Sequence, residues 1–248
     1  MKRGTLRGWI ILLVLFSVYI TLILWEPGWE KALKTLFPKE TVHLYARSSL
    51  ARLVAEHVLL VFAASGMATI AGVAAGIFVT REAGRPFRPA ADDLSSIGQT
   101  FPPVAVLALA VPVTGFGFKP AVLALFLYGV MPVLRNTITG LESVSEETKD
   151  AALGMGMRPW QLLLQVELPL ALRVIMGGVR ITTVINIGTA TIAATIGAGG
   201  LGAPIVSGLI GHNPAVILEG AVAAALLALL ADAVLGQLEQ TLGWNATE

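Results

Sequence analysis

Charged residues divide this chain into long apolar runs. From Trp9 to Trp25 no charge occurs, and the two tryptophans suit the two faces of a bilayer. Val58–Thr80 is uncharged over 23 residues, Leu94–Phe118 follows, and Pro120–Leu134 lies between Lys119 and Arg135. Ile181–Leu218 is uncharged over 38 residues, too long for one crossing. A spanning helix needs about 20 apolar residues to cross a hydrocarbon core of about 30 Å. Gly197-Ala198-Gly199-Gly200-Leu201-Gly202, followed by Pro204, breaks the last run. The pattern predicts six spanning helices: Trp9–Trp25, Val58–Thr80, Leu94–Phe118, Pro120–Leu134 with a turn into Asn136 and Thr137, Pro169–Thr195 and Val216–Leu238. Pro102, Pro103 and Pro112 bend or end the third. Gly72 and Gly76 are spaced to let another helix approach closely.

The first run follows Lys2, Arg3 and Arg7, as a signal peptide would. Trp25-Glu26-Pro27 replaces the small-residue cleavage site, so a retained anchor helix is expected. With the N-terminus inside, Lys2, Arg3, Arg7, Arg81, Arg85, Arg88, Arg135, Lys149, Arg158 and Arg173 fall on the inner side. Lys31, Lys34, Lys39, Arg47, Arg52 and Lys119 fall outside. Cytoplasmic loops collect Lys and Arg, so the balance favours N-in, and an even helix count places the C-terminus inside as well.

Composition narrows the class. Of 248 residues, 55% are hydrophobic and 13% charged, with mean hydropathy +0.77. A soluble domain carries about 25% charge. Net charge is +1, which excludes nucleic-acid binding by bulk charge, and the apolar richness excludes disorder. With no cysteine there is no disulfide framework, Fe–S cluster or thiolate zinc site. The chain contains no phosphate-cradling G-x-x-x-x-G-K-[ST] segment, no H-E-x-x-H and no G-x-S-x-G, and His43, His57 and His212 are scattered. No catalytic residue and no metal site are expected.

The polar stretch Glu142–Glu167 holds the most information. Ser143 followed by Glu146 fits a capping box, Gly154 and Gly156 can end a short helix, and Pro159 suits the first turn of a second, which Pro169 would terminate. Two short helices joined at glycines make a compact knob that fits a groove on another protein. Asp150-Ala151-Ala152, three residues, Gly156, nine residues, then Val166-Glu167-Leu168-Pro169 resembles the EAA motif of ABC importer permeases. Asp stands for Glu and Val for Ile. The resemblance continues through Gly98–Pro103, Gly115–Pro120, Pro132–Thr137 and Ile185–Gly202, which look like the osmoprotectant permeases that import glycine betaine, choline and carnitine. It covers about residues 53–240.

The resemblance implies an all-α integral membrane protein of the type I ABC importer class, with a five-helix permease core and one added N-terminal helix. Residues 1–52 would form the anchor helix and external segment, and 53–248 the core with its cytoplasmic coupling loop at 140–168. It further implies a second permease chain (a copy or a different one), an extracytoplasmic binding protein and a cytoplasmic ATPase dimer. ATP and Mg would sit on that ATPase, with no cofactor on this chain. Asp150, Ala151, Ala152, Gly156, Val166, Leu168 and Pro169 would dock the ATPase, in a bacterial or archaeal cytoplasmic membrane. A permease for another small solute, such as methionine or a sulfonate, shares the same loop. An ion-coupled transporter would show inverted repeats and paired intramembrane acids, and neither is visible.

Polar residues inside apolar runs are costly and mark pathways or helix contacts. Gln99, Thr100, Asn186, Thr189 and Thr191 are candidates for a translocation path or for interhelical hydrogen bonds. Gly197, Gly199, Gly200 and Gly202 are candidates for a gate or for a turn. Arg180 needs a partner, for which Glu219 and Asp232 are of the right type. Aromatics make up 7% of the chain with no Trp–Tyr cluster, so a cation cage is expected on the binding protein rather than here.

Overall fold

The computed structural model describes residues 3–98, 100 and 102–244, all of them in helices and the turns between them. Helix α1 (Arg3–Leu24) is followed at Trp25 by α2 (Glu26–Leu36). The Glu26-Pro27 pair opens α2, because a proline in the first turn forfeits only a donor that has no helical partner. Trp29 Nε1 donates to the Leu22 carbonyl at 2.8 Å and folds α2 back on α1. Ser49 caps α3 (Leu50–Val79) by accepting the Arg52 N–H at 3.4 Å. Then come α4 (Arg88–Gly98), α5 (Pro103–Thr114), α6 (Phe118–Glu142), α7 (Glu146–Gly154), α8 (Pro159–Leu162), α9 (Leu168–Ile192), α10 (Gly202–Ile210) and α11 (Pro214–Trp244).

Among the described residues five helical stretches are long and apolar enough to span: Leu6–Leu24, Leu50–Val79, Phe118–Glu142, Pro159–Ile196 and Pro214–Leu242. The expected third span, Leu94–Phe118, divides instead into the polar α4 and the apolar α5. Consecutive prolines at 102 and 103 remove two donors, so the helix restarts at Pro103. At 12 residues α5 is about 18 Å long, short of the hydrocarbon core. The fourth span outruns its expected end: α6 passes Asn136 and Thr137 and continues to Glu142.

Small residues set the helix packing. A Cβ on Gly72 would meet Val133 at 2.8 Å, and one on Gly76 would meet Thr137 at 2.6 Å, so α3 and α6 run parallel in close contact. The G-x-x-x-G spacing is thus filled within this chain. A Cβ on Gly140 would meet the Ala171 carbonyl oxygen at 3.1 Å and one on Gly178 would meet Asn136 at 2.7 Å, which sets α9 antiparallel to α6. A large core joins α1, α3, α5, α6, α9 and α11 through Tyr19, Leu60, Leu107, Leu125, Ile187 and Leu227. Two smaller clusters, around Leu134 and Ile138 and around Leu141 and Ile175, lie towards the α6–α9 loop.

Candidate functional site

The loop between α6 and α9 begins where Ser143 closes α6, its N–H reaching the Thr139 carbonyl and its hydroxyl the Gly140 carbonyl at 2.7 Å. Ser143 is therefore spent, and the expected cap shifts to Ser145, whose Oγ accepts the Thr148 N–H at 3.3 Å. Glu146 and Glu147 occupy the first turn of α7, where the helix dipole favours negative charge. Gly156, at φ +84°, turns the chain out of α7 in the left-handed region. The N–H groups of Met155, Gly156 and Met157 meanwhile take up the carbonyls of Ala151, Leu153 and Ala152. Pro159 opens α8, and the Gln161 side chain accepts the Arg158 N–H at 2.9 Å.

Pro169 does not end the second helix. The chain is helical without interruption from Pro159 to Ile196, through a π turn at Leu163–Glu167 that sends the Leu168 N–H back to the Leu163 carbonyl. The widened turn makes room for the Pro169 ring and absorbs its missing donor. Of the EAA positions Ala152 is buried, Asp150, Ala151 and Gly156 are exposed, and Val166, Leu168 and Pro169 are half-buried. Leu153, Met155 and Trp160 add exposed apolar side chains to the same knob.

Two ion pairs hold this loop at its base. Arg88, opening α4, pairs with Glu142 at the end of α6, its Nη2 lying 3.2 Å from Oε2, and its Nε reaches Asp92 at 3.0 Å. Burial works against the Arg88 charge, but the Glu142 and Asp92 carboxylates outweigh it and raise its pKa above the ordinary value. Arg81, just past α3, places Nη2 2.7 Å from Oε2 of the buried Glu167, at the end of the π turn. The angle falls short of a hydrogen bond, and Arg81 Nε is buried with no hydrogen-bond partner among the described residues.

At the other end of the bundle the glycine segment forms a tight turn. Gly197, Gly199 and Gly200 have φ of +79°, +76° and +69°, which only glycine adopts readily. A Cβ on Gly202 would lie 2.0 Å from the Thr191 carbonyl oxygen. The turn is stitched to α3: Gly200 N–H donates to Glu56 at 3.3 Å and Leu201 N–H to His57 Nδ1 at 3.3 Å. His57 Nε2 in turn faces the Ile187 carbonyl at 3.0 Å. One ring nitrogen accepts and the other donates, which is the neutral tautomer carrying its proton on Nε2. Gly117 N–H donates to the Ile196 carbonyl at 2.8 Å and ties in the start of α6.

Between these ends lie the polar residues of the spans. Asn186 is fully buried and donates to Ser65 Oγ on α3 at 3.0 Å, while its Oδ1 is buried without a hydrogen-bond partner. Its geometry is that of an interhelical contact. Thr182 donates to the Gly129 carbonyl of α6 at 2.9 Å. Thr191 bonds to Gly188 within its own helix, Thr189 is half-buried, and Thr100 is exposed. Gln99 lies outside the described residues. Arg180 grips Asp232 with two hydrogen bonds of 2.5 and 2.7 Å and approaches Glu239 at 3.7 Å, joining α9 to α11. Glu219, the other candidate partner, instead accepts the Tyr45 N–H at 2.7 Å. A recess of about 400 Å³ opens on the α6–α9 face beside Tyr128, Arg135, Asn136 and Thr182.

Residues 72–243 match the family of binding-protein-dependent transport system inner membrane components. That stretch contains the whole α6–α9 loop, the glycine turn and all but the last residue of α11. The chain belongs to this permease family. It is 40% identical over 220 residues to the osmoprotectant import permease protein OsmY of Salmonella typhimurium, covering 89% of this chain and 90% of the relative. It is 40% identical over 185 residues to the glycine betaine/carnitine/choline transport system permease protein OpuCB of Bacillus subtilis, covering 75% and 84%. A chain of the inward-facing MetNI methionine ABC transporter shares its fold, with a TM-score of 0.69, 23% identity, and coverage of 78% and 95%. Permeases of ABC importers work with an ATPase, a second permease and a binding protein, and the ATPase performs the hydrolysis.

Several residues of this permease escape a reading by pattern alone. The arginines Arg81 and Arg88 count as inner-side charges, yet both are paired. Their signal is topological, since N-in places them on the same side as Glu142 and Glu167. His57 has no such signal, being a lone histidine whose two partners are backbone atoms.

Proposed function

We propose that this permease forms the membrane channel of an ATP-driven importer for osmoprotectants such as glycine betaine, carnitine or choline. The observation that carries the reading is 40% identity across nearly the whole length of a permease named for osmoprotectant import. The likeness to the methionine transporter is one of fold and carries no solute with it.

Residues 1–52 supply an anchor helix and an external segment, and 53–248 the permease core. Both termini face the cytoplasm, so the loop at 140–168 meets the ATPase there. Asp150, Ala151, Ala152, Gly156, Val166, Leu168 and Pro169 shape that contact, and the exposed Leu153, Met155 and Trp160 give it apolar surface to bury. ATP and Mg bind the ATPase, and this chain holds no cofactor. Two permease chains, identical or different, face each other in a bacterial or archaeal cytoplasmic membrane. Solute passes along the α6–α9 face, where the recess beside Tyr128 and Arg135 opens, and the glycine turn closes the far end. ATP binding draws the two loops together and rocks the spans between inward-open and outward-open states.

Uptake of glycine betaine into vesicles holding this permease, its ATPase and its binding protein tests the reading. Accumulation is expected with ATP inside and none without it. Uptake driven by an ion gradient in the absence of ATP would overturn it.

A further inference from the structure

Both ends of the α6–α9 loop are held by one short segment of chain. Glu142 is the last residue of α6 and Glu167 the last of the π turn before α9, so these two carboxylates bracket the loop. Their partners, Arg88 and Arg81, lie at the two ends of the segment that joins α3 to α4. The segment is anchored underneath by apolar contacts, with Val79 of α3 and Ala91 of α4 packed on Leu134 and Ile138 of α6. On the other side Leu163 and Leu168, at the two ends of the π turn, and Val73 and Ile77 of α3 pack on one shared cluster, Leu141, Ala171 and Ile175. Charge and packing therefore tie the same two pieces of chain together.

The two pairs differ in kind. Glu167 has a side-chain exposure of 5% and Arg81 of 34%, whereas Arg88 and Glu142 stand at 26% and 55%. The buried pair cannot be given up cheaply, because an uncompensated carboxylate would be left inside the protein. It is also imperfect: the Arg81–Glu167 angle misses a hydrogen bond and Arg81 Nε is unpartnered. A guanidinium with unspent donors beside a carboxylate can swing to a second pairing without losing the first attraction, since the Coulomb term depends weakly on angle.

Resting on the importer reading above, we infer that the α3–α4 segment is a clamp that makes the ATPase-facing loop and α3 move as one body. Arg81 and Arg88 are positioning residues. They touch neither solute nor nucleotide, and they act by fixing the loop to the span that reaches the glycine turn through Glu56 and His57. A loop pulled by the ATPase then carries α3 with it instead of bending at its own glycine.

This chain has no cysteine, so with cysteine-free partner subunits paired spin labels can be placed at Ala83→Cys and Gln165→Cys in the assembled transporter. The clamp predicts an unchanged label separation between the nucleotide-free and ATP-bound states, and a separation that shifts or broadens once Arg81→Gln and Arg88→Gln are combined. In vesicles the combined variant should lower solute moved per ATP hydrolysed by roughly 2- to 30-fold, the range seen for residues that couple distant sites. Arg81→Glu with Glu167→Arg should recover the ratio that either reversal alone loses, and Arg81→Lys should keep most of it. A purely structural role lowers uptake and hydrolysis together and leaves the ratio alone, and that result overturns the inference. So does a label separation that already changes with ATP in the parent. The label readout needs no solute: a parent that hydrolyses ATP but moves no glycine betaine refutes the solute reading and leaves the clamp to be judged by the labels.

Discussion

The two ends of the bundle are held by different chemistry. At the loop end, two partly exposed guanidinium groups face one buried and one exposed carboxylate. At the glycine-turn end, a fully buried imidazole reads a backbone N–H and a backbone carbonyl. Ion pairs have long reach, tolerate poor angles and weaken in salt where water reaches them. The neutral latch has no reach. It works only if three glycines hold positive φ and Leu201 presents its N–H at the right place. The loop end can therefore take up load through attractions that tolerate small changes of angle, while the far end holds one backbone shape. That division suits a protein pulled from one side.

The harshest test of the contrast is steric. Gly202→Val puts a branched side chain where even a Cβ lies 2.0 Å from the Thr191 carbonyl oxygen. The opposing atom is backbone and cannot rotate away, so a loss of about 3 kcal/mol or more is expected. Gly154→Val at the loop end meets nothing within 4 Å and should leave the protein intact. Thermal unfolding of the detergent-purified variants measures both. A Gly202→Val protein that melts with the parent would show that the turn is not the rigid end.

His57→Leu comes next. It leaves the buried Leu201 N–H unpaired at a cost of about 1–3 kcal/mol. No net charge is lost, so the penalty should be the same at low and high salt. Asn at position 57 puts an acceptor near the place of Nδ1 and should recover part of the loss. A penalty that vanished in salt would mean that His57 works as an ion and not as a latch.

Local chemistry was legible in the sequence, and long-range pairing was not. Apolar runs marked four of the long spans closely, because crossing a bilayer is a demand each segment meets alone. The turn expected past Arg135 into Asn136 and Thr137 was too short: a cation whose stem can snorkel need not stop a helix, and α6 runs on to Glu142. Pro102 and Pro103 broke their span, while Pro169 did not break its own, because a π turn precedes it. The loop knob could be read from its glycines and Pro159. Its cap moved from Ser143 to Ser145 once α6 had claimed the former. For Arg180 the sequence offered Glu219 and Asp232 alike, and only the packing of α9 on α11 selects Asp232. Both clamp pairs needed the same kind of tertiary information.

A milder change at the loop end separates shape from surface. Gly156 has φ +84° and open space around its missing Cβ, so Gly156→Ala costs about 1–2 kcal/mol of backbone strain and adds little bulk. Gly156→Trp carries the same strain and adds a large ring to the knob. Both should reach the membrane, and the Trp variant alone should fail to hold the ATPase through co-purification. Equal loss of the ATPase from both would place the effect in the fold of the turn, and equal retention would remove Gly156 from the contact.

The smallest effect tests the ionic side of the contrast. Arg88→Gln removes a pair whose carboxylate is more than half exposed, alongside a second exposed partner at Asp92. Exposed pairs contribute about 0–1 kcal/mol, so the melting temperature should hardly move. What loss there is should shrink as salt rises and screens the parent's own attraction. The same variant should still lower the solute moved per ATP if Arg88 positions the loop. A residue nearly silent in stability yet visible in coupling would separate the two ends more sharply than any large destabilisation, because a rigid seat cannot fail in that way: what breaks it also unfolds it.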